Sequence, residues 1–209
     1  MSHRHPIFAR YYARVSRLME ENVGPYRQRL LDGLTGRVIE VGAGNGLNFV
    51  HYPDTVTEVI AVEPEPHLRS IAEAGAARAA VSVKVVDATA GDLPADEAEY
   101  DAAVASLVLC SVPDQDRALA EIRRVLKPGG ELRFFEHVRA ATPWRGRVQQ
   151  ALDVAIWPLL VGGCHCGRDT RAAIERAGFT IDRIDQLTSA ETQMTFPTAP
   201  QILGTASRR

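Results

Sequence analysis

The sequence predicts a doubly wound α/β domain, a parallel sheet with helices on both faces, from three observations. The first is Val38-Ile39-Glu40-Val41-Gly42-Ala43-Gly44-Asn45-Gly46, a β-branched run that ends in glycines at alternate positions. Only glycine turns a backbone this sharply and leaves room for a ligand to lie on the main chain. The second is the apolar run Val59-Ile60-Ala61-Val62 followed by Glu63-Pro64, about 20 residues further on. An open α/β sheet places an acid there to accept hydrogen bonds from a ribose diol. The third is the alternation of strand and helix patterns from Arg37 onward.

Taken in order, residues 1–34 read as a helical lead-in in which Ile7, Phe8, Tyr11, Tyr12, Val15, Leu18 and Met19 recur near the helical period. Arg10, Arg14 and Arg17 make it basic and amphipathic. Gly24-Pro25 is expected to break it, with a second helix from Tyr26 to Leu34. A lid over the bound ligand is the preferred role, and peripheral contact with anionic lipid is the alternative. Strands are expected at Arg37–Val41, Glu58–Glu63, Ser82–Asp87, Tyr100–Ser106 and Glu131–His137. Pro66 opens a helix to Ala76, and Asp114 caps one striped with Ala118, Leu119, Ile122, Val125 and Leu126. Lys127-Pro128-Gly129-Gly130 is read as the turn into the fifth strand. Asp169 or Thr170 caps a helix stopped by Gly178, and strands Phe179–Leu187 and Pro200–Ser207 follow. Residues 1–209 form one domain, a 1–34 lid segment on a 35–209 core.

A chain of 209 residues with a net charge of -2 buries a real core and offers no broad nucleic-acid surface. Cys110, Cys164 and Cys166 are an odd set with no secretory signal before them, so reduced thiols and a cytoplasmic location are expected. No apolar run approaches the roughly 18–20 residues that cross a bilayer.

The glycine spacing selects the ligand. A dinucleotide loop reads G-x-G-x-x-G, and its third glycine position is Leu47 here. Glu40, two residues before the first glycine, repels a pyrophosphate but suits an ammonium group. A nicotinamide dehydrogenase is thereby disfavoured. Over Val38 to about Phe179 the chain resembles the class I S-adenosylmethionine-dependent methyltransferases, with Glu40, Gly42, Ala43, Gly44 and Gly46 as the glycine-rich motif. The resemblance implies a Rossmann-like seven-stranded mixed sheet whose last strand inserts antiparallel beside the fifth. It implies S-adenosylmethionine as cofactor, with Glu63 and Pro64 at the ribose, Asp87 on the adenine amino group and Ala88 on the ring. Ser106, in Ala105-Ser106-Leu107-Val108-Leu109-Cys110-Ser111-Val112, is implied at the methionine end. A cofactor-binding protein that lacks catalysis is the non-enzyme alternative.

A narrower resemblance is carried by Leu107 to Val112, Glu136-His137-Val138 and Gly163-Cys164-His165-Cys166. It is to the animal alkyl-thiol S-methyltransferases and to bacterial relatives described as phospholipid N-methyltransferases. The sequence departs from the animal enzymes in carrying no hydrophobic N-terminal anchor. It implies transfer to a small nucleophile, thiol favoured, with phosphatidylethanolamine as the alternative acceptor. Trp157-Pro158-Leu159-Leu160-Val161 is expected to wall the acceptor pocket. His137 and His165 are the candidate bases, with Glu136 and Asp114 behind them. Glu136 and His137 alternate along a strand, so at most one is expected to face a given pocket. Zinc is not expected at Cys164-His165-Cys166, because C-x-C is a poor spacing for one tetrahedral site and Cys110 is the sole other cysteine.

Overall fold

A computed structural model of the protein describes residues 6–209; residues 1–5 of the lead-in lie outside the described residues. The chain runs α1 (Pro6–Leu18), α2 (Glu20–Leu31), β1 (Gly36–Val41), β2 (Val56–Val62), α3 (Pro66–Ala76), β3 (Val83–Val86), β4 (Tyr100–Ser106) and α4 (Gln115–Val125). It continues as β5 (Leu126–His137), α5 (Pro143–Ala155), α6 (Trp157–Leu160), α7 (Thr170–Arg176), β6 (Phe179–Leu187), α8 (Ser189–Thr192) and β7 (Gln201–Arg208). The seven strands lie in the order β3-β2-β1-β4-β5-β7-β6. β7 is antiparallel to both of its neighbours, and the pairs from β3 to β5 are parallel. The strand order reverses between β1 and β4, where a doubly wound sheet opens a crevice at its carboxyl edge.

Period-two alternation divides the core into two layers. Ile39, Val41, Ile60, Val62, Ala103 and Ala105 pack against Leu119 and Ile122 of α4 and Ile174 of α7. Their neighbours Val38, Val59, Ala61, Ala102 and Val104 pack against Leu30 and Leu31 of α2, Phe49 and Ala72. Burying each such large side chain contributes about 1.5–3 kcal/mol. The helix starts follow the sequence: Glu65 accepts from Leu68 N ahead of Pro66, Asp114 from Arg117 N, and Asp169 from Ala172 N.

Two expected boundaries are corrected. The break in the lead-in falls at Met19, and Pro25 sits inside α2, where it removes one helical hydrogen bond. Burial of Val23, Arg27, Leu30 and Leu31 on one face of α2 outweighs that loss. Lys127-Pro128-Gly129-Gly130 is no turn between elements, since Leu126 already pairs with Tyr100. The four residues form an irregularity inside β5, after which pairing resumes at Glu131 with Ala102. The α5 and α6 helices were not anticipated.

Candidate functional site

The glycine loop leaves β1 at the switch point. Gly42, Gly44 and Gly46 have φ of +69°, +58° and +77°, a conformation that other residues adopt only with strain. Gly42 N and Ala43 N both donate to Val62 O, at 2.9 and 3.0 Å. A Cβ at Gly46 would lie 2.6 Å from the Phe49 ring, and one at Gly42 would overlap the Val108 side chain. Across the loop, Glu63 Oε2 accepts from Gly44 N and Oε1 from Glu65 N, both at 2.8 Å. Burial raises its carboxyl above the ordinary value against those two donors.

Glu40 is buried, with one oxygen accepting from Asn48 Nδ2 and the other from Tyr52 Oη, both at 2.8 Å. Desolvation pushes its pKa up to about 7 despite these donors. Arg27 of α2 donates to Asn48 Oδ1 at 2.9 Å and to Ser106 Oγ at 3.3 Å, so Glu40 and Ser106 share one network. Arg27, Asn48 and Tyr52 carried no sequence signal, because their partners are set by packing.

α1 lies over the loop. Asn45 Nδ2 donates to Ser16 Oγ at 3.0 Å, and Tyr12, stacked on Phe8, stands beside Gly44. Burial raises the Tyr12 hydroxyl pKa; the Arg27 charge lowers it, and those of Glu63 and Cys110 raise it. At the end of β3, Asp87 is two-thirds exposed and pairs with Arg69 at 2.9 Å. Arg69 also donates to the carbonyls of Glu63 and Pro64, which ties both strand ends together. Ala88 packs against the core. A groove of about 860 Å³ borders the outer side of the loop, lined by Gln28, Asn45, Gly46, Leu47 and Ile71. Glu63, Asp87 and Ser106 do not line it, although Asn45 and Gly46 of the glycine loop do.

After β4 the chain bends through Leu107, which holds φ of +57°. Glu136 fixes this turn: its carboxylate accepts from Val108 N, Leu109 N and Cys110 N at 3.0, 2.8 and 3.1 Å. With both oxygens engaged, it is a positioning group. His137 Nδ1 lies 3.6 Å from Cys110 Sγ and 3.7 Å from Cys164 Sγ. Both residues meet Cys110, Glu136 at its amide and His137 at its sulfur. His165 is half-buried, its N donates to Cys110 O, and burial lowers its pKa. Trp157 and Val161 pack on the cysteines, whereas Leu159 and Leu160 are 82% and 61% exposed. Asp114 serves as the α4 cap.

A backbone cradle, an acid opposite it and a second buried carboxylate, with no Lys or Arg on the loop itself, fit an ammonium-bearing nucleoside better than a pyrophosphate. Comparison with known proteins agrees. Residues 39–134 match the family described as "Methyltransferase domain". The chain is 39% identical over 150 residues to the human thiol S-methyltransferase TMT1A, covering 68% of this chain and 59% of that protein. It is 32% identical over 183 residues to the mouse thiol S-methyltransferase TMT1B, covering 84% of this chain and 73% of that protein. The crystal structure of a SAM-dependent methyltransferase from Thermotoga maritima superposes with a TM-score of 0.71 at 21% identity, over 97% of this chain and 98% of that one. The glycine cradle, the sheet order and these relatives together place the chain in the class I S-adenosylmethionine-dependent methyltransferases, in the family of the thiol S-methyltransferases.

Proposed function

We propose that this methyltransferase transfers the methyl group of S-adenosylmethionine to the sulfur of a small, apolar thiol. In this reading Gly42, Ala43, Gly44 and Gly46 cradle the cofactor, Glu63 with Pro64 holds the ribose, Asp87 and Ala88 hold the adenine, and Ser106 borders the methionine end. Glu40 acts through Asn48 and Tyr52, the two side chains that occupy its oxygens. Tyr12 and α1 close over the cradle as a lid. The cofactor supplies a methyl group already activated on a sulfonium, so the protein's part is alignment and exclusion of water. The similarity to two thiol S-methyltransferases carries the choice of acceptor.

The residues around the turn after β4 agree with a thiol. A thiol acceptor reacts as its thiolate, which forms within a few pH units of neutrality and needs no strong base. The carboxylate in reach, Glu136, is committed to three backbone donors, and His137 Nδ1 faces two sulfurs. Neither His137 nor His165 is required to remove a proton. Val154, Ile156, Leu159 and Leu160, on α5, α6 and the residue between them, are exposed apolar side chains, and Arg10, Arg14 and Arg17 are exposed on α1. Both features support an apolar substrate delivered from a lipid surface by peripheral contact. Among the described residues no helix is long and apolar enough to cross a membrane.

Mass spectrometry of protein incubated with S-adenosylmethionine and a panel of alkyl thiols, phenols, amines and phosphatidylethanolamine vesicles tests the reading. Methylated thiol is expected, at a rate that rises with pH as the acceptor ionises. Turnover of the phospholipid with none of any thiol would overturn the acceptor. Cofactor binding by calorimetry without any product would identify a binding protein instead.

A further inference from the structure

Methyl transfer as described leaves one constellation unused, at the carboxyl ends of β4 and β5. Cys110 lies in the turn after β4, His137 is the last residue of β5, and Cys164 and Cys166 lie in the loop between α6 and α7. All three thiols are buried and free. Cys110 Sγ, His137 Nδ1 and Cys164 Sγ all lie within 4.8 Å of one another. Cys166 Sγ is 3.7 Å from Cys164 Sγ.

We propose that Cys110, His137, Cys164 and Cys166 form a binding site for one thiophilic, tetrahedral cation, Zn²⁺ by ligand type. The distances carry the argument. Zinc binds thiolate sulfur at about 2.3 Å and imidazole nitrogen at about 2.0–2.1 Å. The edges of such a tetrahedron are about 3.8 Å between two sulfurs and about 3.6 Å between sulfur and nitrogen. The observed separations are 3.7 Å for Cys164 to Cys166, and 3.6 and 3.7 Å from His137 to Cys110 and Cys164. Cys110, His137 and Cys164 already converge; Cys166, which meets only Cys164 at such a distance, enters as the fourth ligand by a turn of its side chain towards the other two. Three thiolates and an imidazole are a soft donor set that excludes calcium and magnesium.

The surroundings hold the set in place from three sides. Glu136 fixes Cys110 through its amide. Asp153 of α5 accepts from Cys166 N at 3.0 Å and Gly167 N at 2.7 Å. Arg168 donates to Leu109 O and Val112 O, and His165 N to Cys110 O, which latches the loop to the turn. A second observation concerns the outer nitrogen of His137. A histidine that binds a metal through one nitrogen usually donates its other N–H to an acceptor. His137 Nε2 is buried without a partner, and so are both amide atoms of Gln201. Gln201 stands directly opposite His137 in the β5–β7 register, on the same face of the sheet. A turn of its amide brings Oε1 to receive the proton that a metal-bound His137 carries on Nε2. The C-x-C spacing does not reveal the site, because its nitrogen ligand comes from β5 and not from His165.

The test uses the full chain, reduced and stripped of metal, titrated with Co²⁺ as a spectroscopic stand-in for Zn²⁺. A thiolate-to-cobalt band and intense tetrahedral ligand-field bands saturating at one ion per chain are expected, lost on addition of Zn²⁺. Cys164→Ser, at the centre of the set, abolishes them. Gln201→Leu weakens Zn²⁺ affinity 10- to 100-fold, the range for removing an outer-shell partner. Should Cys164→Ser fail to fold, protection of the wild-type thiols from an aromatic disulfide reagent by Zn²⁺ gives the same answer. A folded, reduced protein with no band, or thiols equally reactive with and without Zn²⁺, would overturn the proposal. These readouts involve no methyl transfer, so either outcome leaves the acceptor assignment independent.

Discussion

At the scale of single residues, buried carboxylates do more of the work than exposed charges. Glu40 is protonated in the folded chain up to about 7 and ionised in the unfolded chain above 4.5. Between those values the folded state holds the extra proton, so this group's contribution is fully present below 4.5 and is lost as pH rises through 7. Melting curves should show wild type gaining on Glu40→Gln as pH falls from 8 to 5, by roughly 1.4 kcal/mol per unit of pKa difference. A constant gap between the two proteins over that range refutes the assignment. Glu136→Gln leaves one acceptor oxygen for three backbone donors, and a loss of about 2–4 kcal/mol is expected in chemical denaturation. The glycines divide by what surrounds them. Gly44→Ala meets Tyr12 at an ordinary 3.5 Å and adds mainly backbone strain, about 1–2 kcal/mol. Calorimetry should show at least tenfold weaker S-adenosylhomocysteine binding by a protein that still folds. Gly42→Val drives its side chain into Val108, so fold and binding are lost together.

At the scale of elements, α1 and α2 show where sequence reasoning stops. The strands up to β4 were legible because β-branched runs such as Val59 to Val62 have no other use, α3 because Pro66 suits a first turn, and α4 and α7 because their caps stand at the expected spacing. The position of Pro25 inside α2 was not legible, since a local rule predicts a break and only the buried face of the helix overrides it. α5 escaped notice because it buries little beyond Gly146 and Gln149, which leaves no apolar stripe. In the site, the glycines and Glu63 follow from local patterns, whereas Tyr12, Arg27 and the constellation around Cys110 depend on contacts between distant segments. Pro25 is exposed, so Pro25→Ala should restore the missing hydrogen bond and raise stability by about 1–2 kcal/mol, less than the full proline cost because the unfolded chain also gains freedom. Tyr12→Ala tests the lid: cofactor dissociation in stopped flow should speed at least tenfold with little change in Tm. Unchanged dissociation would reduce α1 to a packed element.

At the scale of the whole molecule, the sheet unites the site by joining carboxyl ends that are far apart in sequence. β7 lies between β5 and β6, and it carries Gln201 to a place opposite His137. Deleting residues 201–209 strips the partner from both of those strands and leaves two unpaired edges. That truncation should be insoluble on expression, while removal of Arg209 alone, beyond the last strand, should be tolerated. The same placement bears on how the protein is made. A ribosome delivers β6 before β7, yet β6 touches no other strand of the sheet. Until residues 201–208 pair with it, the outer edge of β5 stands as an exposed template for strands of other chains.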